Sequence, residues 1–146
     1  MTLDPATRDK NREELRRLEE LVESNPDYLA DLGGGWTVAV AFAHLAFWDR
    51  RQATLLRDWS LGDPLPVSAT DDQLNPVLEP LWQEMRPEST GPMAVEAARE
   101  VTELVENLPQ EKIDALVDLG MTFMRARGNH REDHVDQILR GLGRPV

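Results

Sequence analysis

Cysteine is absent from this chain, so disulfides, thiolate zinc knuckles, iron–sulfur clusters and a catalytic thiol are all excluded. Any metal must be held by nitrogen and oxygen ligands, and any thiol chemistry needs a thiol supplied from outside. Basic residues are also short: 16 Lys and Arg stand against 27 Asp and Glu, a formal charge of −11. A surface that negative repels phosphate backbones, so nucleic acid is not an expected partner. Long hydrophobic runs are lacking too. The longest, Val38 to Trp48, is too short to span a bilayer and runs into Asp49-Arg50-Arg51. The segment Met1 to Arg12 is polar and charged, unlike a secretory signal. A soluble cytoplasmic protein with no membrane partner is the expectation, and 146 residues suit a single domain over 1–146 with a real core.

No stretch alternates as a half-buried strand should, and there are no internal repeats. The patterning is helical throughout. Asp4 can cap a first helix with Pro5 in its first turn. Leu15, Leu18, Leu21 and Val22 then form its apolar stripe, and Asn25-Pro26-Asp27 ends it. Gly33-Gly34-Gly35 gives a turn before Trp36. Thr37 is the expected N-cap of a second helix reaching about Trp59, apolar nearly all round in its first half and therefore buried on several sides. Ser60 to Asp72, with Pro64 and Pro66, reads as a loop, and a shorter helix lies within Asp72 to Met85, limited or bent by Pro76 and Pro80. After Pro87-Glu88-Ser89-Thr90-Gly91 comes a regular helix with Ala94, Ala97, Ala98, Val101, Leu104, Val105 and Leu108 as its stripe. Pro109 opens another segment bearing Ile113, Leu116 and Val117. Gly128 marks a break, and Asn129 caps a last helix from about His130 to Gly141. The expected fold class is all-α, a bundle of four principal helices with one or two short extras.

Histidine is scarce as well, and its distribution is informative. Only three are present. His44 interrupts the apolar run of the second helix, and His130 and His134 stand four apart in the last. Positions i and i+4 share a helix face, with Cβ atoms roughly 6 Å apart. A buried imidazole needs partners, so His44 is either a core residue bonded to a carbonyl or carboxylate, or a ligand. The pair is either an exposed polar face or two ligands. Together, brought to facing helices of a bundle, the three can hold a divalent metal. This is not the zincin motif, since Arg131 stands where that motif has Glu. Glu132 turns away from His130 as a solvated or helix-dipole residue. Asp133 lies nearer the His face and either orients a ligand or forms a surface ion pair with Arg131 or Arg127.

Gly-Gly-Trp36-Thr37, then His44-Leu45-Ala46-Phe47-Trp48-Asp49, then His130-Arg131-Glu132-Asp133-His134-Val135-Asp136-Gln137-Ile138 resembles the DinB/YfiT-like superfamily of four-helix metalloenzymes. In that family a Trp-Ser/Thr pair opens the second helix, a His-Leu-Ala-x-Trp-like stretch follows, and a His-x-x-x-His-x-x-x-Ile-like stretch begins the final helix. The resemblance covers most of the chain in length and helix order. It implies an up-down-down-up bundle with a long crossover, a three-His nickel or zinc site at His44, His130 and His134, and frequent homodimers. It further implies thiol chemistry, because the family includes mycothiol- and bacillithiol-dependent transferases. The added C-terminal domain of some thiol-dependent isomerases of the group is not matched here.

Three protein ligands leave room for water or substrate, the arrangement of a catalytic site. Trp36 and Trp48 are candidates to wall its pocket or to anchor the core, and Arg127 and Arg131 either hold a substrate carboxylate or pair with acidic residues. No catalytic residue beyond the metal ligands is assigned. Phe42, Phe47, Trp59 and Trp82 fill either the core or a dimer face. Three functions stay open: a metal-dependent enzyme on a small molecule, thiol S-transferase or hydrolase-like; a non-catalytic metal- or ligand-binding stress protein; and a helical interaction bundle.

Overall fold

The computed structural model describes residues 3–65 and 71–146. Within them the chain runs through α1 (Pro5–Glu23), β1 (Asp31–Gly33), β2 (Trp36–Thr37), α2 (Val38–Asp58), α3 (Asp71–Glu84), α4 (Pro87–Glu106), α5 (Gln110–Asp118), a 3-10 turn (Thr122–Met124) and α6 (Arg127–Gly141). The protein is mostly helical, as the patterning requires. Of the proposed loop, Pro64 is described and irregular, whereas Pro66 lies outside the described residues.

Local chemistry sets the helix starts. Asp4 Oδ1 accepts from the Thr7 N–H at 2.9 Å, and the Thr37 hydroxyl accepts from the Val40 N–H at 3.3 Å, so both expected caps are in place. Three features depart from expectation. The glycine turn carries a small antiparallel hairpin, with Asp31 opposite Thr37 and Gly33 opposite Trp36. All three glycines there adopt positive φ, which tightens the turn enough for pairing. Strands of three and two residues are too short to show alternation. The second departure is α4, which begins at Pro87 rather than after Gly91. Pro87 suits the first turn, and Gly91 is a packing position where a Cβ would collide with the Tyr28 hydroxyl.

The third departure concerns α6. It starts at Arg127, and Gly128 is no break. A Cβ at Gly128 would sit 2.8 Å from the Lys10 carbonyl oxygen, so glycine is what lets α6 touch α1. Asn129 does not cap this helix. Instead Asn11 of α1 reaches across, its Oδ1 accepting from the Gly128 N–H at 2.7 Å.

α2 packs along α4 and also against α6 and α3, while α1 packs on α4 and α6, so α1, α4, α2 and α6 close a ring. Two apolar clusters fill it. One holds Leu18, Leu21, Phe42, Leu45, Ala94, Val135 and Ile138; the other holds Ala53, Leu56, Trp59, Val101, Val105, Ile113, Leu116 and Met124. Each fully buried Leu, Ile or Phe contributes about 1.5–3 kcal/mol. A third cluster, Val40, Ala43 and Trp82 with Trp36, Phe47 and Leu78 against them, joins α3 to the outer face of α2. Phe42, Trp59 and Trp82 are thus core residues. Among the described residues, no helix is long and apolar enough to cross a membrane.

Candidate metal centre

Because α2 packs against α6, the His44 ring meets both histidines of the last helix. Ring centroids lie 4.9 Å from His44 to His130, 4.5 Å from His44 to His134, and 4.8 Å between the α6 pair. One nitrogen from each ring falls within 4.8 Å of the other two. His44 is 1% exposed, and the other two are half-buried. All the histidine in the chain converges on one point.

The hydrogen-bond contacts assign the tautomers. A guanidinium has no acceptor, so Arg127 Nη2, 3.4 Å from His130 Nδ1, can only donate to it. The His130 proton then sits on Nε2, facing His44 Nε2 at 2.9 Å. His44 accepts there and carries its own proton on Nδ1. That Nδ1 is buried and has no hydrogen-bond partner. His134 donates from Nδ1 to Gln137 Oε1 at 2.9 Å, so Nε2 is the nitrogen it would offer an ion.

Burial and repulsion from neighbouring charges keep His44 and His130 neutral. Desolvation first, then the neighbouring His134 charge and, behind it, Arg127, push His44 down to about 3 against the opposing effects of Asn75 and Asp49. Burial, followed by Arg127, His134 and His44, pushes His130 down to about 2. Neutral imidazole is the ligating form. The residues therefore fit a divalent ion in chemistry and nearly in spacing. Nitrogens bound about 2.1 Å from a common ion lie roughly 3–3.4 Å apart, and the His44–His130 edge is already close to that. The proton on His130 Nε2 is the one an ion must replace, so binding releases or relocates it.

An aromatic wall surrounds the cluster. Trp36 lies 5.0 Å from the His44 ring and stacks over His134 at 6.0 Å and 17°. Trp48 and Trp82 approach His44 edge-on at 6.3 and 5.4 Å. Both outer indoles are tied to α3: Trp36 Nε1 donates to Glu79 Oε1 at 3.0 Å, and Trp48 Nε1 donates to Asn75 Oδ1 at 3.1 Å. Comparison with protein-family models, curated proteins and solved structures finds no match for this chain.

The remaining candidates are divided by the geometry. Trp36 and Trp48 stand at the cluster. Asp133 does not: it is exposed on α6, and Gln137 partners His134 in its place. Nor does Arg131 face a pocket. It is fully buried, with Nε donating to Asp49 Oδ2 at 3.2 Å, Nη1 to the Asn11 carbonyl at 3.0 Å and Nη2 to the Ala98 carbonyl at 3.2 Å. Arg127 joins the same carboxylate, its Nε 2.9 Å from Asp49 Oδ1. Neither arginine pairs with Asp133. Glu132 instead pairs with Lys10 across the α1–α6 contact. Burial alone would raise the Asp49 pKa, but the charges of Arg131 and Arg127 outweigh it and hold the carboxyl below its usual range.

Sequence reasoning missed Asp49, Gln137, Asn75, Glu79 and Trp82. Spacing held a signal for most of them. Gln137 is three residues from His134 on one helix face, and Asn75, Glu79 and Trp82 follow a four-then-three rhythm along α3. Asp49 stands four residues after Leu45 and four before Ala53, in line with the buried stripe of α2.

Proposed function

We propose that this chain is a DinB/YfiT-like four-helix bundle, threaded up-down-down-up, that holds nickel or zinc through His44, His130 and His134. It acts on a small-molecule electrophile as a thiol-dependent S-transferase or a hydrolase-like enzyme. One observation carries this reading: three imidazoles from two helices each bring a ring nitrogen within 4.8 Å of the other two. Bound there, such an ion supplies a hydroxide near neutral pH or holds an exogenous thiol, of the mycothiol or bacillithiol kind, as thiolate.

The chain's own residues do the rest. His44, His130 and His134 hold the ion, and Gln137 fixes the His134 ring by accepting its Nδ1 proton. Trp36, Trp48 and Trp82 exclude water from the His44 side, which strengthens electrostatic effects at the site.

Elemental analysis of tag-free protein beside His134→Ala tests this reading. About one equivalent of nickel or zinc, lost in the variant, is the expected result. Thiol-dependent consumption of model electrophiles by the loaded protein then separates an enzyme from a metal-binding stress protein. No metal after reconstitution with zinc, nickel, iron and manganese would overturn the site.

A further inference from the structure

The buried Nδ1 of His44 is a donor in search of an acceptor. Its proton is placed there by the chain of bonds from Arg127 through His130, and the residue is almost wholly shielded from water. An unsatisfied N–H so deep carries its full desolvation penalty. Ligating imidazoles nearly always give this second proton to a carbonyl, carboxylate or water, which fixes the tautomer and aims the other nitrogen at the metal. Gln137 does this for His134. For His44 the corresponding group has to come from elsewhere.

We propose that Asn75 of α3 is the positioning residue for His44, its side-chain oxygen accepting the His44 Nδ1 proton when the ion is bound. The inference rests on the three-His reading and deepens it. Two observations support it. Trp48 lies one turn beyond His44 on the same face of α2, and it already donates to Asn75 Oδ1 at 3.1 Å, so this oxygen sits over the His44–Trp48 face. An amide oxygen has two lone pairs, and Trp48 uses one of them. The other is the one assigned to the His44 Nδ1 proton. α3 thereby becomes a working part of the site.

Zinc affinity of the full chain, measured by competition with a chromophoric chelator, tests the assignment. Asn75→Ala removes the acceptor and is expected to weaken zinc binding by about 10–100-fold. Asn75→Asp keeps an acceptor at the same place and restores binding toward the parent value. Parent-like affinity in N75A, or an N75D as weak as N75A, overturns the assignment. A parent protein that binds no zinc overturns the metal site and this inference with it, an outcome distinct from the other two. Should N75A lose its fold, nitrogen NMR of the zinc-loaded parent still decides. A slowly exchanging, hydrogen-bonded Nδ1 proton on His44 is expected, and rapid exchange with bulk water refutes it.

Discussion

Two buried polar clusters join α2 to α6, and they differ in one respect that separates structure from function. Around Asp49, both carboxylate oxygens are occupied, each guanidinium nitrogen of Arg131 has an acceptor, and Asn11 uses both ends of its amide. Around His44, less than two helical turns away on the same helix, a buried ring nitrogen has no partner and an Nε2 proton is shared between two imidazoles. A fully satisfied network asks for nothing more and locks four segments of the chain together. An incompletely satisfied one stores free energy that a ligand can release. The Asp49 network is thus the frame, and the histidines are the seat.

Breaking the frame should have the largest effect. Asp49→Ala leaves two guanidinium groups facing one another without their carboxylate, and loss of one partner from a buried pair costs about 3–5 kcal/mol. Urea denaturation at neutral pH is expected to show that loss, and a change within 1 kcal/mol of the parent, about what a surface pair contributes, would mean the network is dispensable. Acid comes next. His44 and His130 titrate near 3 and 2 in the folded chain, against 6.5 as the ordinary value. As pH falls through 6.5 the unfolded chain takes up both protons and the folded chain does not. Stability present above pH 6.5 is therefore lost progressively toward pH 3, by about 2 kcal/mol between pH 6.5 and 5.5 for the two rings together. Calorimetry of metal-free protein should record a falling midpoint over that range, and a flat profile would show that the cluster opens to water.

The sequence made much of the seat legible and little of the frame. His44, His130 and His134 could be paired from spacing because histidine is rare in this chain and helical periodicity says which positions share a face. Thr37 and Asp4 could be read as caps for the same reason: their chemistry is local. Arg131 and Asp49 could not. Charge patterning assigns arginine to the surface in an acidic chain, and only the close approach of α6 to α1, made possible by Gly128 against the Lys10 carbonyl, buries this one. Gly128 itself reads as a helix break, because sequence does not reveal which backbone will lie beside a missing Cβ. The role of α3 was hidden similarly: periodicity and its prolines give a short helix, but not that Asn75, Glu79 and Trp82 turn toward the site.

Smaller effects probe the seat. Gln137→Ala removes the acceptor that holds His134 and should weaken zinc binding about tenfold, the low end for outer-shell partners because the amide is neutral. An isothermal titration giving parent affinity would show that α6 alone orients the ring.

The smallest effect is the most telling. His44→Leu abolishes the ligand set, yet in metal-free protein it also removes the unsatisfied Nδ1 donor and fills the space with an apolar side chain. Against this, the His130 Nε2 proton loses its acceptor. Each change is worth about 1–3 kcal/mol and the two oppose one another, so the net effect on unfolding at pH 7.5 with chelator present should stay within about 1 kcal/mol. Zinc should stabilise the parent in the same experiment and leave the variant unmoved. If His44→Leu instead destabilised the metal-free chain as severely as Asp49→Ala, the histidines would belong to the frame. The contrast between the clusters would then vanish. A near-neutral result joined to loss of the zinc response would identify His44 as a residue kept in the core for what it binds.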